Sequence, residues 1–258
     1  MQRSLVDVAW QVEEVGLNLR PAPVETYMEG WLIRASGGPV RRINAICATQ
    51  FRSSRFETVL KTSEDLFQRL GRPTIVKVLS MGDDIDGLLE ERGYRSEGRS
   101  HVLLAEHTAR SPDTSIAKVQ VGNADNEWFD AWATIAKPMS AEARSVFENS
   151  MRKIVLPKVY AAFKVGGQIV SMAYGVLHQG RLGVDAVATR SDHRGCGYAR
   201  LVVSALQDWA NGKGVRQSCL SVEADNTPAL ALYRSCGFDL HVYDYHYRVK
   251  RSTTGNVV

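Results

Sequence analysis

The sequence predicts an α/β (α+β) chain built from two related units. Three observations carry this: a repeated helix–glycine–strand segment, a strand–glycine loop–helix passage from 185 to 209, and short β-rich runs broken by glycine turns. Residues 84–106, DIDGLLEERGYRSEGRSHVLLAE, read as a short helix, a turn at Gly93 and an apolar strand. Residues 228–250, PALALYRSCGFDLHVYDYHYRVK, keep that order, with Gly237 as the turn and Phe238 in place of Tyr94. Either glycine can take the positive φ that a helix C-terminus demands. Each copy also follows a β-rich run, 73–81 in the first and 217–223 in the second.

The front unit opens with a hairpin pattern, GWLIRA at 30–35, a Gly37-Gly38-Pro39 turn and VRRINAICA at 40–48. A helix is expected over 54–71, closing on Gly71. The polar, proline-broken segment 110–114 reads as a linker, so the expected division is 1–112 and 113–258. The back unit begins with a strand at 115–121 and a cap-rich start, Asn123 to Glu127, to an amphipathic helix carrying Trp128, Phe129 and Trp132. Strands at 159–165 and 168–177 flank the Gly166-Gly167 turn, and a third strand covers 181–189. Past the glycine loop, Leu201, Val202, Ala205, Leu206 and Trp209 recur with helical period.

Composition narrows the classes. With 258 residues, 44% hydrophobic and 23% charged, the chain can bury a real core. Its net charge of +4 is too small to imply nucleic-acid or membrane binding by bulk electrostatics. Met1–Trp10 lacks the apolar core of a secretory signal, and no apolar run is long enough to span a bilayer. Cys47, Cys196, Cys219 and Cys236 show neither CxxC spacing nor a neighbouring His pair, so reduced thiols, a cytoplasmic setting and no metal are expected. Oligomeric state is left open.

The strongest chemical signal is Arg194-Gly195-Cys196-Gly197-Tyr198-Ala199-Arg200, entered from a strand ending at Thr189. Free N–H groups at a helix start, glycines that admit a ligand to the backbone, and two flanking cations suit a pyrophosphate. An ordinary glycine-rich turn before a surface helix is the plain alternative. About thirty residues on, SVEADNTPALALYRSCGF spans 221–238: a strand ending at Glu223, a cap at Asp225-Asn226, Pro228 in the first helical turn, and Tyr233 one turn before Gly237.

Together, in this order and spacing, RGCGYA and SVEADNTPALALYRSCGF resemble the GCN5-related N-acetyltransferase (GNAT) superfamily, over about 113–250. The front half is similar, more loosely, to the degenerate partner domain of tandem bacterial members. The resemblance implies two GNAT folds, each a mixed, mostly antiparallel sheet flanked by helices. It further implies that Val187, Ala188 and Thr189 bind the pantetheine arm of acetyl-CoA in sheet fashion. The pyrophosphate would fall to Arg194, Gly195, Cys196, Gly197, Tyr198, Ala199 and Arg200, with Asn226 also at the cofactor and Tyr233 as general acid toward the thiolate.

Acetyl transfer to an amine needs a donor for the oxyanion, a base for the ammonium proton and an acid for the thiolate. The Val187 N–H suits the first role. A phenol of pKa about 10 can protonate a thiolate whose conjugate acid lies near about 8.5. For the base, Glu223, Asp185 and a water wire stay open, each carboxylate being equally readable as a cap or a surface charge. His193 reads as a turn residue near phosphate, and Cys196 as a small loop residue. The stripe His241, Tyr243, Tyr245, Tyr247 fits either an acceptor pocket or an amphipathic edge strand.

In the front unit, Leu89 stands where Tyr233 stands in the back, and the loop near Arg41-Arg42-Ile43-Asn44 has no glycine pattern. The front unit is therefore expected to bind no acetyl-CoA. The expected activity is direct ternary-complex acetylation of a primary amine, of a small molecule ahead of a protein N-terminus or lysine. The rivals are a non-catalytic acyl-CoA-binding regulatory module and a protein that uses the glycine loop for another nucleotide phosphate.

Overall fold

A computed structural model describes residues 4–52, 55–82, 84–107, 116–135 and 140–251. The chain divides into two compact units interleaved in sequence: 22–101 with 243–258, and 1–21 with 102–242. The first helix of the chain thus belongs to the later unit, and the end of the chain to the earlier one. The 110–114 linker segment lies outside the described residues.

The first unit contains β1 (Glu25–Met28), β2 (Trp31–Arg34), β3 (Ile46–Ala48), α2 (Phe56–Arg69), β4 (Thr74–Leu79) and α3 (Asp86–Glu91), with the early part of β5 (Arg95–Glu106) and the late part of β11 (Leu240–Lys250). Its sheet runs β1-β2-β3-β4-β11. All neighbours pair antiparallel except β3 and β4, which are parallel with Ile46 opposite Val76. The expected long strand over 40–48 shrinks to Ile46–Ala48 because Asn44 organises the preceding loop. Its amide oxygen accepts the Gly37 N–H at 2.8 Å, while its amide nitrogen donates to the carbonyls of Gly37 and Val40 at 2.8 and 3.0 Å. Arg41–Ile43 consequently form a 3-10 turn before β3. The segment joining β3 to α2 is 49–55, not the 41–44 stretch that the sequence pattern suggested, and it also lacks glycine.

The second unit contains α1 (Leu5–Leu19), β6 (Lys118–Val121), α4 (Asn126–Ile135), α5 (Ala141–Arg152), β7 (Lys158–Val165), β8 (Gln168–His178), β9 (Arg181–Thr189), α6 (Tyr198–Gly212), β10 (Gln217–Glu223) and α7 (Thr227–Ser235), with the rest of β5 and β11. Its sheet runs β5-β10-β9-β8-β7-β6, with β6 to β9 antiparallel and β9 parallel to β10. Helix α1 starts at a capping box in which the Ser4 hydroxyl accepts the Asp7 N–H and the Asp7 carboxylate accepts the Ser4 N–H. One core cluster gathers Val184, Val202, Val203, Leu206, Leu220, Val222, Tyr233 and Phe238 around α6, β9, β10 and α7. A second, aromatic cluster of Trp128, Phe129, Phe147, Tyr160 and Tyr174 packs α4 and α5 on β7 and β8.

The repeated grammar is visible in the turns. The Phe238 N–H donates to the Tyr233 carbonyl at 3.0 Å and the Gly237 N–H to Arg234 at 3.1 Å. In the first unit the Tyr94 N–H donates to Leu89 at 3.0 Å and the Gly93 N–H to Glu90 at 2.9 Å. Gly93 and Gly237 have φ +81° and +84°, so both helices close on the same left-handed turn, and Leu89 is the structural counterpart of Tyr233.

Candidate active site

The site is built where β9 leaves β10. Their parallel ladder runs Arg181 with Gln217, Leu182 with Ser218 and Gly183 with Cys219, and stops there, although β9 continues to Thr189 and β10 to Glu223. From Val184 onward the β10-facing edge of β9 therefore carries no ladder partner, which is what an extended ligand arm needs in order to pair with it.

Just before that edge turns into the loop, β9 bulges. Met172 pairs with Ala188 and Tyr174 with Asp185, so Ala173 alone opposes Ala186 and Val187. Ala186 takes φ +54°, a left-handed conformation rare for a residue with a Cβ. The bulge re-aims the backbone at Val187.

The loop that follows is closed by local contacts. Arg190 holds Asp192 through two contacts of 3.2 and 3.1 Å, and this guanidinium, reinforced by His193, keeps the Asp192 carboxyl far below the usual carboxylate range. The Arg194 Nε donates to the Thr189 carbonyl at 3.4 Å. Gly195 and Gly197 sit at φ +78° and +79°, and a Cβ on either would meet nothing within 4 Å. Gly197 is the N-cap of α6, and no side chain caps that helix start. The first N–H groups of α6, from Tyr198, Ala199 and Arg200, thus face open space without intrahelical acceptors. Arg194, Cys196 and Arg200 are exposed, while the Tyr198 ring stacks on Phe163 with centroids 4.5 Å apart. An open, positively polarised cradle of this kind fits a diphosphate.

Tyr233 enters from α7, whose geometry follows from its N-terminus. The Asn226 side-chain oxygen accepts the Ala229 N–H at 3.1 Å, and Pro228 lies in the first turn. Tyr233 is 9% exposed, its ring edge-on to Phe238 at 5.9 Å and packed with the β9, β10 and α6 residues of the first core cluster. Glu223, at the end of β10, is exposed, and its carbonyl accepts the Asn226 N–H at 3.0 Å.

Asp185 has a different environment. Its carboxylate lies 2.9 Å from the Arg20 guanidinium, with the two side chains 10% and 8% exposed, and it accepts the N–H of Ala186 at 2.7 Å. Sequence spacing could not bring Arg20 to this site, because the two partners lie in separate stretches of a unit that the chain leaves and re-enters. In the tail stripe Tyr243, Tyr245 and Tyr247 are buried and the Lys77 ammonium lies 4.2 Å over the Tyr245 ring, while Tyr245 lines a cavity of the first unit together with Asp86, Arg99 and Asp244.

The split parallel pair and the glycine-lined helix start both lie within one segment that a family model matches. Residues 126–238 match the acetyltransferase (GNAT) family model. The chain is 23% identical over 249 residues to the uncharacterized N-acetyltransferase YobR of Bacillus subtilis (strain 168), covering 93% of this chain and 98% of that one. Among solved structures it resembles a GCN5-related N-acetyltransferase from Kribbella flavida, with TM-score 0.67 and 16% identity, covering 100% of this chain and 98% of that chain. It also resembles a tandem GNAT protein from the clavulanic acid biosynthesis pathway, with TM-score 0.63 and 11% identity over 97% and 94% of the two chains. The match to the acetyltransferase (GNAT) family thus lies in residues 126–238, and along most of its length the chain is similar to a protein named as an N-acetyltransferase and shares the fold of solved GNAT structures. Among the described residues no helix is long and apolar enough to cross a membrane.

Proposed function

We infer that the protein transfers an acetyl group from acetyl-CoA to a primary amine, of a small molecule, in a single ternary complex. The observation that carries this reading is the unpaired β9 edge running directly into the open Gly195–Gly197 cradle. Acetyl-CoA supplies the activated acyl group as a thioester. Val187, Ala188 and Thr189 hold its arm by backbone pairing, and the loop from Arg194 to Arg200 holds its diphosphate. Asn226 contributes chiefly by capping α7 and so placing Tyr233.

The Val187 N–H, aimed by the bulge, stabilises negative charge developing on the carbonyl oxygen. Glu223, the exposed carboxylate at the end of β10, takes a proton from the acceptor ammonium, directly or through water, so that the free amine can attack the carbonyl carbon. The new C–N bond forms as the C–S bond breaks, and Tyr233 gives its phenolic proton to the departing thiolate. The first unit, with Leu89 at the tyrosine position and no glycine between β3 and α2, binds no acetyl-CoA and acts as a degenerate GNAT partner.

A thiol-release assay over a panel of amines, run on wild type and Tyr233→Phe, tests this reading. Coenzyme A release with an amine acceptor, at least tenfold slower in Tyr233→Phe, is expected. Acetyl-CoA binding without release for any amine would favour a regulatory module instead, and competition of binding by ATP or NAD would favour a nucleotide site.

A further inference from the structure

We propose that Arg20, at the C-terminal end of α1, is a positioning residue for acetyl transfer: through Asp185 it locks the β9 bulge that aims the Val187 N–H. The inference rests on the functional reading above and assigns Asp185 to this lock rather than to proton abstraction.

Four observations converge on α1 as the organiser of the bulge. First, Asp185 grips the backbone of its own neighbour, its Oδ1 accepting the Ala186 N–H at 2.7 Å where Ala186 sits at φ +54°. A non-glycine residue holds such a conformation only where its surroundings over-determine it. Second, the other carboxylate oxygen, Oδ2, is bound by Arg20 at 2.9 Å, in a pair shielded from water on both sides. Third, the fully buried Tyr174 hydroxyl donates to the Leu19 carbonyl at 2.8 Å and lies 3.3 Å from the same Oδ2, tying the end of α1 to β8 directly opposite the bulge. Fourth, α1 lies on β9 with almost no clearance: a Cβ on Gly183 would come within 2.7 Å of Val15 and 2.8 Å of Leu19. Gly183 is also the last residue of β9 that pairs with β10. Helix α1 therefore presses on the strand where it separates from its neighbour, and Arg20, the residue just past its end, holds Asp185 two positions further along β9.

Arg20 is itself held in place. Its guanidinium lies 5.3 Å from the centroid of the Phe147 ring, and the next residue, Pro21, accepts a hydrogen bond from the buried Ser150 hydroxyl, both partners lying on α5. Without the guanidinium, the Asp185 carboxylate would lose its cationic partner in a shielded setting, which weakens its hold on the Ala186 N–H. Ala186 would then relax toward extended geometry, and a one-residue change in a strand exchanges which way each following N–H points.

Ala186→Gly supplies the decisive control, because glycine takes φ near +54° without a clamp. Arg20→Met is expected to lower kcat at least tenfold with the acetyl-CoA KM within threefold, and Ala186→Gly added to Arg20→Met to recover at least threefold in kcat. Asp185→Asn is expected to lower kcat at every pH while keeping the acid limb of the pH–rate profile. Loss of that limb would assign the base to Asp185 and overturn the proposal, as would wild-type kcat in Arg20→Met or failure of Ala186→Gly to restore it. Amide hydrogen exchange at Ala186 and Val187 gives a readout that needs no turnover. Faster exchange in Arg20→Met, or in Asp185→Asn if the first variant does not fold, supports the lock, and unchanged exchange refutes it. Absence of thiol release by wild type with every amine would instead sink the functional reading while leaving the exchange result standing.

Discussion

Replacing Gly197 with alanine separates what the glycine does for the backbone from what it does for a ligand. Gly197 sits at φ +79°, so Ala carries a left-handed penalty of about 1–2 kcal/mol there. For a unit of this size each kcal/mol moves Tm by about 2–4 °C, giving a drop of roughly 2–8 °C. The added methyl meets no protein atom within 4 Å, so packing contributes nothing further. It would project into the open cradle before α6, where it would displace the diphosphate from the free N–H groups. Losing one charge-assisted hydrogen bond there costs about 1.5–3 kcal/mol, which is at least tenfold in affinity. Gly214 provides a matched control. It has the same φ of +79° and the same empty surroundings, but lies beyond the far end of α6. Thermal unfolding of Gly197→Ala and Gly214→Ala should show similar losses, while calorimetric titration with acetyl-CoA should show weakened binding for Gly197→Ala alone. Wild-type affinity in a folded Gly197→Ala would refute the cradle assignment.

Tyr233→Phe keeps the ring packing against Phe238, so Tm should stay within about 2–4 °C of wild type, a loss of at most about 1 kcal/mol, while kcat falls at least about tenfold in the thiol-release assay. Cys196 is the one exposed cysteine, whereas burial pushes the Cys219 and Cys236 thiols up to about 12 and about 11. Titration of the native protein with a disulfide reagent should therefore modify Cys196 first, and saturating acetyl-CoA should slow that reaction. In the first unit, the hydrogen bonds from Arg248 hold the Asp86 carboxyl down to about 2, against the opposing effect of burial and with help from His246. Because the folded value is depressed, the stabilisation is present above about pH 4 and is lost as pH falls toward 2. The Tm difference between wild type and Asp86→Asn should therefore narrow between pH 6 and pH 3, and a constant difference would contradict the pairing.

The local geometry of the candidate site is legible in the sequence because its signals are local. A glycine loop needing positive φ, the Asn226 cap three residues before the Ala229 N–H it satisfies, and the Gly237 turn all act within a few residues of themselves. The same locality explains why the hairpin of β7 and β8 and the helix after Gly197 were readable from alternation and period. Helix α1 was missed although Ser4 and Asp7 form its capping box, a signal weakened by aspartate standing where glutamate is usual. Helix α5 was missed with it, its Ser140 cap being a single polar residue in a polar stretch.

By itself the sequence determined most of the locally closed elements and the chemistry they offer: a glycine loop before a helix, a phenol on a capped helix, carboxylates at strand ends. Only the tertiary structure decided which carboxylate is spoken for, because the Arg20–Asp185 pair joins residues 165 positions apart and depends on α1 packing against Gly183. It also decided that the units interleave, with the first helix of the chain in one and the last strand running into the other. The physical reason is the same in both cases. Hydrogen bonds of turns and caps are closed by neighbours in the chain, whereas ion pairs and strand ladders are closed by whichever distant segment the buried core brings alongside.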